Sequence, residues 1–367
     1  MADLEALLRY LCAVKGSDLH LKVGSPPRIR LDGRLERTDA PAITAQEMEE
    51  ISGVVVRSDR LEQFRKTGEA DCAYSVTGVG RFRVNAFRQR GSVAMVFRRV
   101  GVGSPGFAAL GLPAVVETLS NEPRGMILVT GPTGSGKTTT LAAMIDHINS
   151  TKECHIVTLE DPIEILHPDK MASINQREIG VDTADFVVAM RAAMRQDPDV
   201  ILVGEMRDTE TVKAALAASE TGHLVLSTLH TTDAGETINR VIDFFPPHQQ
   251  GQTRIALAAA LRGIVCQRLA EKADGGRVPV LEILVATGRV QDAITEPDRT
   301  NEISEIINEG EYYGMQTFDQ HLFKLFREKI ITLDEAMHVA SKPADFRLAL
   351  QNAGLIAADL TFQRAGV

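Results

Sequence analysis

The sequence predicts an α/β protein, with a core built on a mostly parallel sheet, a smaller α+β domain before it and a C-terminal helical region after it. Three observations point there. Four short apolar runs, Met126-Ile-Leu-Val-Thr130, Cys154-His-Ile-Val-Thr158, Asp199-Val-Ile-Leu-Val203 and His223-Leu-Val-Leu-Ser227, are separated by segments of helical period. Runs of this kind suit strands buried on both faces of a parallel sheet. A glycine-rich loop follows the first run and opens a helix-forming segment. Before residue 101 the pattern is instead mainly that of strands, and the cluster Gly101-Val-Gly-Ser-Pro-Gly106 marks the change. The boundaries expected are 1–100 for the N-terminal domain, 101–112 for a linker, 113–288 for the core and 289–367 for the C-terminal helices.

Length and composition agree with two domains or slightly more. At about 150 residues per domain, 367 residues are too many for one ordinary core. With 44% hydrophobic and 24% charged residues the chain falls outside the disordered, collagen-like and disulfide-scaffold classes. Its 40 basic and 49 acidic residues leave a net charge of -9, which argues against a whole-surface binder of nucleic acid or anionic membrane. No apolar run reaches the 18 residues of a membrane span, and Met1-Ala-Asp-Leu-Glu5 lacks the basic start of a signal peptide. Cysteines 12, 72, 154 and 266 are too far apart for a zinc knuckle and read as reduced core thiols. A cytoplasmic location is expected.

In the N-terminal domain, residues 4–14 form an amphipathic helix pattern expected to pack on a sheet. Asp18-Leu-His-Leu-Lys-Val23 and Arg28-Ile-Arg-Leu31 alternate as strands, and Asp32-Gly33 is a hairpin turn signal. Residues 81–87 and 92–100 form a second strand pair joined at Arg90-Gly91. A two-residue turn there pairs positions whose numbers sum to about 181, which sets Arg83 opposite Arg98 and puts Phe82, Val84 and Ala86 on the other face with Arg99, Phe97 and Met95. Like charges directly opposite are unfavourable, so an anion between Arg83 and Arg98 is expected. From about residue 290 onward, segments such as 318–328 and 333–340 have helical period and no strand pattern.

Gly131-Pro-Thr-Gly-Ser-Gly-Lys-Thr138 has the GxxxxGK[ST] spacing, and it lies between a strand and a helix as that motif requires. Gly131, Gly134 and Gly136 let backbone N–H groups turn toward phosphate oxygens, with Thr133, Ser135 and Thr139 in the same loop and first turn. Lys137 would reach the terminal phosphates and Thr138 would ligate Mg2+. This is a nucleoside triphosphate site. Glu205, just beyond the run Val200-Ile-Leu-Val-Gly-Glu205, lies on the sheet edge where nucleotides bind and is the second metal-site candidate. Thr158-Leu-Glu-Asp-Pro-Ile-Glu164 ends another strand with three carboxylates, Glu160, Asp161 and Glu164. His223 and His230 flank a further strand, where a buried structural histidine is the usual explanation.

Taken together these elements resemble the secretion ATPases of type IV pili, most closely the retraction (PilT/PilU) type. The resemblance rests on the phosphate loop and an acidic box, Leu159-Glu-Asp-Pro-Ile-Glu-Ile165. It also rests on a Walker B segment, Asp197-Pro-Asp-Val-Ile-Leu-Val-Gly-Glu-Met-Arg207, and a histidine box, Thr221-Gly-His-Leu-Val-Leu-Ser-Thr-Leu-His230. Ile174-Asn-Gln-Arg-Glu-Ile-Gly-Val-Asp182 and Arg81-Phe-Arg-Val-Asn-Ala-Phe87 extend it, so it covers about residues 1–290. It implies a PAS-like N-terminal domain joined to a RecA-like ATPase core, assembled as a homohexamer beneath the inner membrane. ATP with Mg2+ would drive removal of pilin subunits from the pilus base, through an inner-membrane platform protein and with membrane contact only through partners.

By position in that family, Glu164 would be the general base for the attacking water, Glu205 would orient the Mg2+ shell, and Glu160 and Asp161 would support the site. His230 and His223 would sense the terminal phosphate or a subunit interface. Arg83 and Arg98 would reach the ATP of a neighbouring core as arginine fingers. The extension relatives usually carry an additional N-terminal domain and a tetracysteine zinc site; their absence here favours retraction. Retraction ATPases also commonly carry an Ala-Ile-Arg-Asn-Leu-Ile-Arg-Glu motif, where this chain reads Arg289-Val-Gln-Asp-Ala-Ile-Thr-Glu296 and keeps Ile294 and Glu296. Principal motor and accessory paralogue, the latter acting beside a related retraction ATPase, both stay open at that stretch, with an extension-type ATPase as a further alternative. A nucleic-acid translocase would need the arginine and phenylalanine pattern of residues 81–90 as a single-strand stripe, and the acidic net charge opposes it. A non-hydrolysing scaffold would be expected to lack some of Lys137, Thr138, Glu164 and Glu205.

Overall fold

The computed structural model describes residues 3–56 and 58–357, so the last ten residues of the predicted C-terminal region lie outside the described residues. The described residues form two compact units, one of residues 3–102 with 164–166 and one of 103–163 with 167–357.

The N-terminal unit is built on one six-stranded antiparallel sheet. Its strands are β1 (Asp18–Lys22), β2 (Arg28–Leu31), β3 (Arg34–Arg37), β4 (Glu69–Val76), β5 (Gly80–Gln89) and β6 (Ser92–Arg99), ordered β3-β2-β1-β6-β5-β4. Three helices accompany it, α1 (Leu4–Ala13), α2 (Ala45–Val55) and α3 (Ser58–Thr67). Thr44 and Glu47 cap α2 reciprocally, which satisfies two otherwise orphaned backbone donors. Strand alternation sends Leu19, Leu21, Ile29, Phe82, Val84, Ala86, Met95 and Phe97 to one face, where they are buried with Leu8 and Leu11 of α1, Met48 and Ile51 of α2 and Phe64 of α3. The register across Arg90-Gly91 is the one the turn arithmetic gives, with Gln89 opposite Ser92 and Arg83 opposite Arg98. Both turn residues have positive φ, 51° and 79°, as a two-residue hairpin turn of matching twist requires. A two-residue strand β7 (Gly101–Val102) completes the unit by pairing in parallel with β10 (Ile165–Leu166), the segment that joins it from far along the chain.

The larger unit has a seven-stranded sheet. Its strands β8 (Gly125–Thr130), β9 (His155–Glu160), β11 (Ser173–Glu178), β12 (Val200–Val203), β13 (Leu224–Leu229), β14 (Leu261–Glu271) and β15 (Arg277–Val285) are ordered β11-β9-β12-β13-β8-β14-β15. Every neighbouring pair is parallel except the β14–β15 hairpin at the end. All six residues of β8 are buried. Met126 and Leu128 belong to the apolar core on one face, and Ile127 and Val129 to the core on the other. That two-sided burial is why the strand is a continuous apolar run. Helices α4 (Phe107–Leu110), α5 (Ala114–Ser120), α6 (Lys137–Thr151), α7 (Phe186–Ala193), α8 (Thr209–Glu220), α9 (Ala234–Asp243) and α10 (Pro247–Ala260) accompany the sheet. The C-terminal helices α11 (Gly288–Thr295), α12 (Ile303–Glu309), α13 (Phe318–Arg327), α14 (Leu333–Val339) and α15 (Pro343–Asn352) bury Ile294, Ile306, Leu322, Ala336 and Leu350 in the same core as α8 and α9. No helix among the described residues is long and apolar enough to cross a membrane. All four cysteines are free thiols; Cys266 is fully buried, and Cys12, Cys72 and Cys154 are partly buried against the apolar cores.

Candidate active site

The phosphate loop leaves β8 and enters α6 directly. Gly136 caps the helix with φ 94°, and a Cβ there would come within 2.7 Å of the Gln267 amide. A Cβ on Gly131 would come within 2.2 Å of the Gln267 carbonyl oxygen. Both positions therefore need glycine for space as well as for conformation. Thr133, Gly134 and Thr138 are exposed, Thr139 is half-buried, and Ser135 and Lys137 are buried. The Lys137 ammonium donates to the carbonyls of Gly131 at 2.6 Å and Pro132 at 3.1 Å. Burial pushes its pKa down, opposed by the carboxylate of Glu205. The hydroxyl of Ser135 is buried without a hydrogen-bond partner among the described residues. An orphaned hydroxyl inside a loop at a helix N-terminus fits a phosphate oxygen as its partner.

Glu205 sits just past β12 and is held from two sides. Arg207 donates to its Oε2 through Nε at 2.8 Å, and His230 Nε2 lies 3.2 Å from its Oε1. The turn beneath it is fastened to β13, with Thr228 donating to the Gly204 carbonyl at 2.7 Å and Ser227 to Val203 at 2.8 Å. Neither predicted structural histidine is buried. His230 is exposed and engaged with Glu205, while His223 lies half-buried before β13 with Nδ1 3.0 Å from the Ala218 carbonyl. The structure therefore brings Lys137, Glu205 and His230 together at the carboxyl end of the parallel strands, where open α/β sheets bind ligands.

The three carboxylates of the acidic box take different places. Glu160 is the last residue of β9 and is buried, accepting from Thr158 at 2.6 Å and from the Gln176 amide at 3.0 Å. Asp161 follows it on the exposed side. Glu164 belongs to the N-terminal unit, where it forms a 3.5 Å ion pair with Arg83.

Arg83 and Arg98 face each other across β5 and β6, as expected, and carboxylates of their own unit answer the two charges. Arg98 donates to Asp18 at 2.8 Å, and Arg30 approaches the other oxygen of Asp18 at 3.8 Å. Burial pushes the Asp18 carboxyl up, but hydrogen bonds from Arg98 and Ser17 outweigh it and hold it below the ordinary value. On the opposite face Phe82 is fully buried, so it offers no surface for stacking a base. Two residues of the site escaped the sequence reading. Arg207 lies in the quoted Walker B segment but has no role in the motif logic, and Gln267 lies on β14, where no motif marks it.

The chain matches the family model for Type II/IV secretion system proteins over residues 106–276. It is 43% identical over 344 residues to the type IV pilus retraction ATPase PilT of Pseudomonas aeruginosa, an alignment covering 94% of this chain and all of that protein. It is 39% identical over 351 residues to the type IV pilus ATPase PilU of the same organism, covering 95% of this chain and 91% of that protein. The crystal structure of the pilus retraction motor PilT with bound ADP superposes with a TM-score of 0.84 at 44% identity, covering 94% of this chain and 99% of that one. With a phosphate loop and its acidic and histidine partners gathered at one sheet edge, and with alignment nearly end to end, the chain belongs to the PilT-type family of pilus retraction ATPases.

Proposed function

We propose that the chain is the ATP-hydrolysing subunit of a homohexameric motor that drives type IV pilus retraction, acting on the pilus base through an inner-membrane platform protein. The observation that carries this is the grouping of Lys137, Glu205 and His230 in a chain aligned over the whole of a retraction ATPase. The loop residues 131–139 hold the ATP phosphates, with Lys137 turning from the loop carbonyls to the terminal phosphates. Thr138 and Glu205 would hold Mg2+, which would supply charge neutralisation on the phosphate oxygens. Glu164 takes the proton of the attacking water, a role open to an exposed carboxylate within hydrogen-bond reach of that water. His230, already against Glu205, reports the state of that carboxylate to the strand β13 that carries it. Arg83 and Arg98 act on the ATP of a neighbouring subunit.

A knockout scored for pilus length and surface motility tests the direction of work. Hyperpiliated, non-motile cells are expected; bald cells would assign extension instead. A second reading, an accessory ATPase beside a related principal motor, is favoured by the departure at residues 289–296. Motility retained in the knockout, with retraction force reduced, would select it.

A further inference from the structure

Gln267 is 3% exposed, and its side-chain amide bridges the phosphate loop and the first turn of the helix that follows it, a link the motif itself does not supply. Its Nε2 donates to the Ser135 carbonyl at 2.7 Å, and its Oε1 accepts from the Thr140 hydroxyl at 2.7 Å, one turn into α6. The strand register explains why this residue is there. β14 pairs in parallel with β8 through Cys266 and Thr130, the last residue before the loop, so the next residue of β14 lies beside Gly131. Its backbone limits the loop's first glycine, and its side chain limits the last one before Lys137.

The consequence follows from peptide geometry. In a trans peptide the C=O and the N–H of the same plane point in opposite directions. Holding the Ser135 carbonyl toward Gln267 therefore aims the Gly136 N–H the other way, toward the inside of the loop, where phosphate oxygens bind. An amide is the side chain suited to this position, because it donates at one end and accepts at the other. We propose that Gln267 is a positioning residue that fixes the Ser135–Gly136 peptide plane, and through it the affinity of the loop for nucleotide phosphates. This rests on the nucleotide reading of the loop.

The test measures the affinity of the full-length protein for a fluorescent ADP analogue between pH 6 and 8, beside the KM and kcat for ATP and the melting temperature without nucleotide. Gln267→Glu puts an acceptor against the Ser135 carbonyl unless its carboxyl is protonated. At pH 8 it should bind nucleotide roughly tenfold more weakly than the native protein, a change of about 1.4 kcal/mol. The deficit should shrink toward pH 6, as protonation restores a donor. Gln267→Met removes both hydrogen bonds at similar length, so its deficit should be independent of pH and appear in KM more than in kcat. Thr140→Val removes one bond with little change of shape and should raise KM by roughly threefold, in line with a single net hydrogen bond. Folded variants with native affinity at every pH would overturn the proposal. So would a deficit that tracks only a lowered melting temperature with no difference in pH dependence between Gln267→Glu and Gln267→Met. Failure of the native protein to bind the analogue would instead reject the nucleotide reading.

Discussion

The charged groups of the two units are held in opposite ways. In the larger unit Lys137 is buried and fastened to backbone carbonyls, while Glu205 has an arginine and a histidine on its two oxygens. In the N-terminal unit the side chains of Arg83 and Arg98 remain 42% and 67% exposed, the first against the exposed Glu164 and the second reaching in to the buried Asp18. A buried ammonium leaves its backbone partners only when another acceptor replaces them, as the ATP phosphates would for Lys137. An exposed ion pair contributes about 0–1 kcal/mol, so Arg83 can exchange Glu164 for another anion at little cost. The first arrangement suits a site that must hold phosphate in every state, and the second suits groups that engage only when subunits assemble.

The sharpest way to break this comparison is to remove one member of each arrangement. Lys137→Ala should reduce Mg2+-dependent ATPase activity by about 10^3-fold, since the ammonium and the loop hold the phosphates together. Undiminished turnover in the purified variant would reject the site. Arg83→Ala should also be nearly inactive if its charge acts across a subunit interface. Mixed and reassembled, the two variants should recover measurable activity, because some interfaces then combine an intact arginine with an intact loop. Mixed assemblies shown by pull-down to contain both variants, yet inactive, would contradict action in trans.

Next in size is the division of labour between the two glutamates. Glu164→Gln should still bind ATP but hydrolyse it about 100-fold more slowly, since the amide keeps the shape and loses the proton acceptor. Glu205→Gln should weaken hydrolysis too, but with altered Mg2+ dependence, because its carboxylate is held beside Lys137 and His230. Titrating Mg2+ in both variants separates them. Full activity in Glu164→Gln, with loss only in Glu205→Gln, would move the role of base to Glu205.

How much of this could be read from the sequence differs between the units for the same physical reason. Buried parallel strands are apolar runs, so β8, β9, β12 and β13 were found, and the loop between β8 and α6 was placed with them. The Arg83–Arg98 pairing was found because a two-residue turn leaves a single register. Their partners were not found, since Asp18 pairs with Arg98 only through strand order, which brings β1 beside β6. The sequence does not distinguish Glu160 from the other two carboxylates at that strand end, whereas β9 continues through it and buries it. The hairpin β14–β15 and its Gln267 were missed because the run 261–285 mixes charged and apolar residues, and because a lone glutamine has no periodicity to mark it.

The smallest effects concern two buried carboxylates, one in each unit, whose titrations are shifted in opposite directions. Asp18 lies below its ordinary value, as the hydrogen bonds of Arg98 and Ser17 outweigh burial. Glu282, opposite Cys266 in the β14–β15 hairpin, is pushed up to about 7, mainly by burial. The Ala234 N–H that it accepts at 2.9 Å and the charge of Arg268 oppose the shift, while Asp233 and Asp319 add to it. The consequences for folding have opposite sign. A carboxyl with a lowered folded value stabilises the fold above its unfolded value, and that stability is lost only as the pH falls through the folded one. A carboxyl with a raised value keeps its proton in the folded state while the unfolded chain releases it, so stability falls as the pH rises from about 4.5 to about 7. The loss over that window is roughly 3 kcal/mol by the linkage relation. Glu282→Gln keeps an acceptor for the Ala234 N–H and removes the titration. Its melting temperature relative to the native protein should therefore climb by several degrees between pH 5 and pH 7 and then level off. Asp18→Asn removes a carboxylate that is ionised throughout that range in both states, so its deficit should be the same at pH 5, 6, 7 and 8. A flat difference for Glu282→Gln would mean that its carboxyl ionises in the folded protein near its ordinary value, and the contrast between the two buried carboxyls, one held down by an arginine hydrogen bond and one pushed up by burial, would fail.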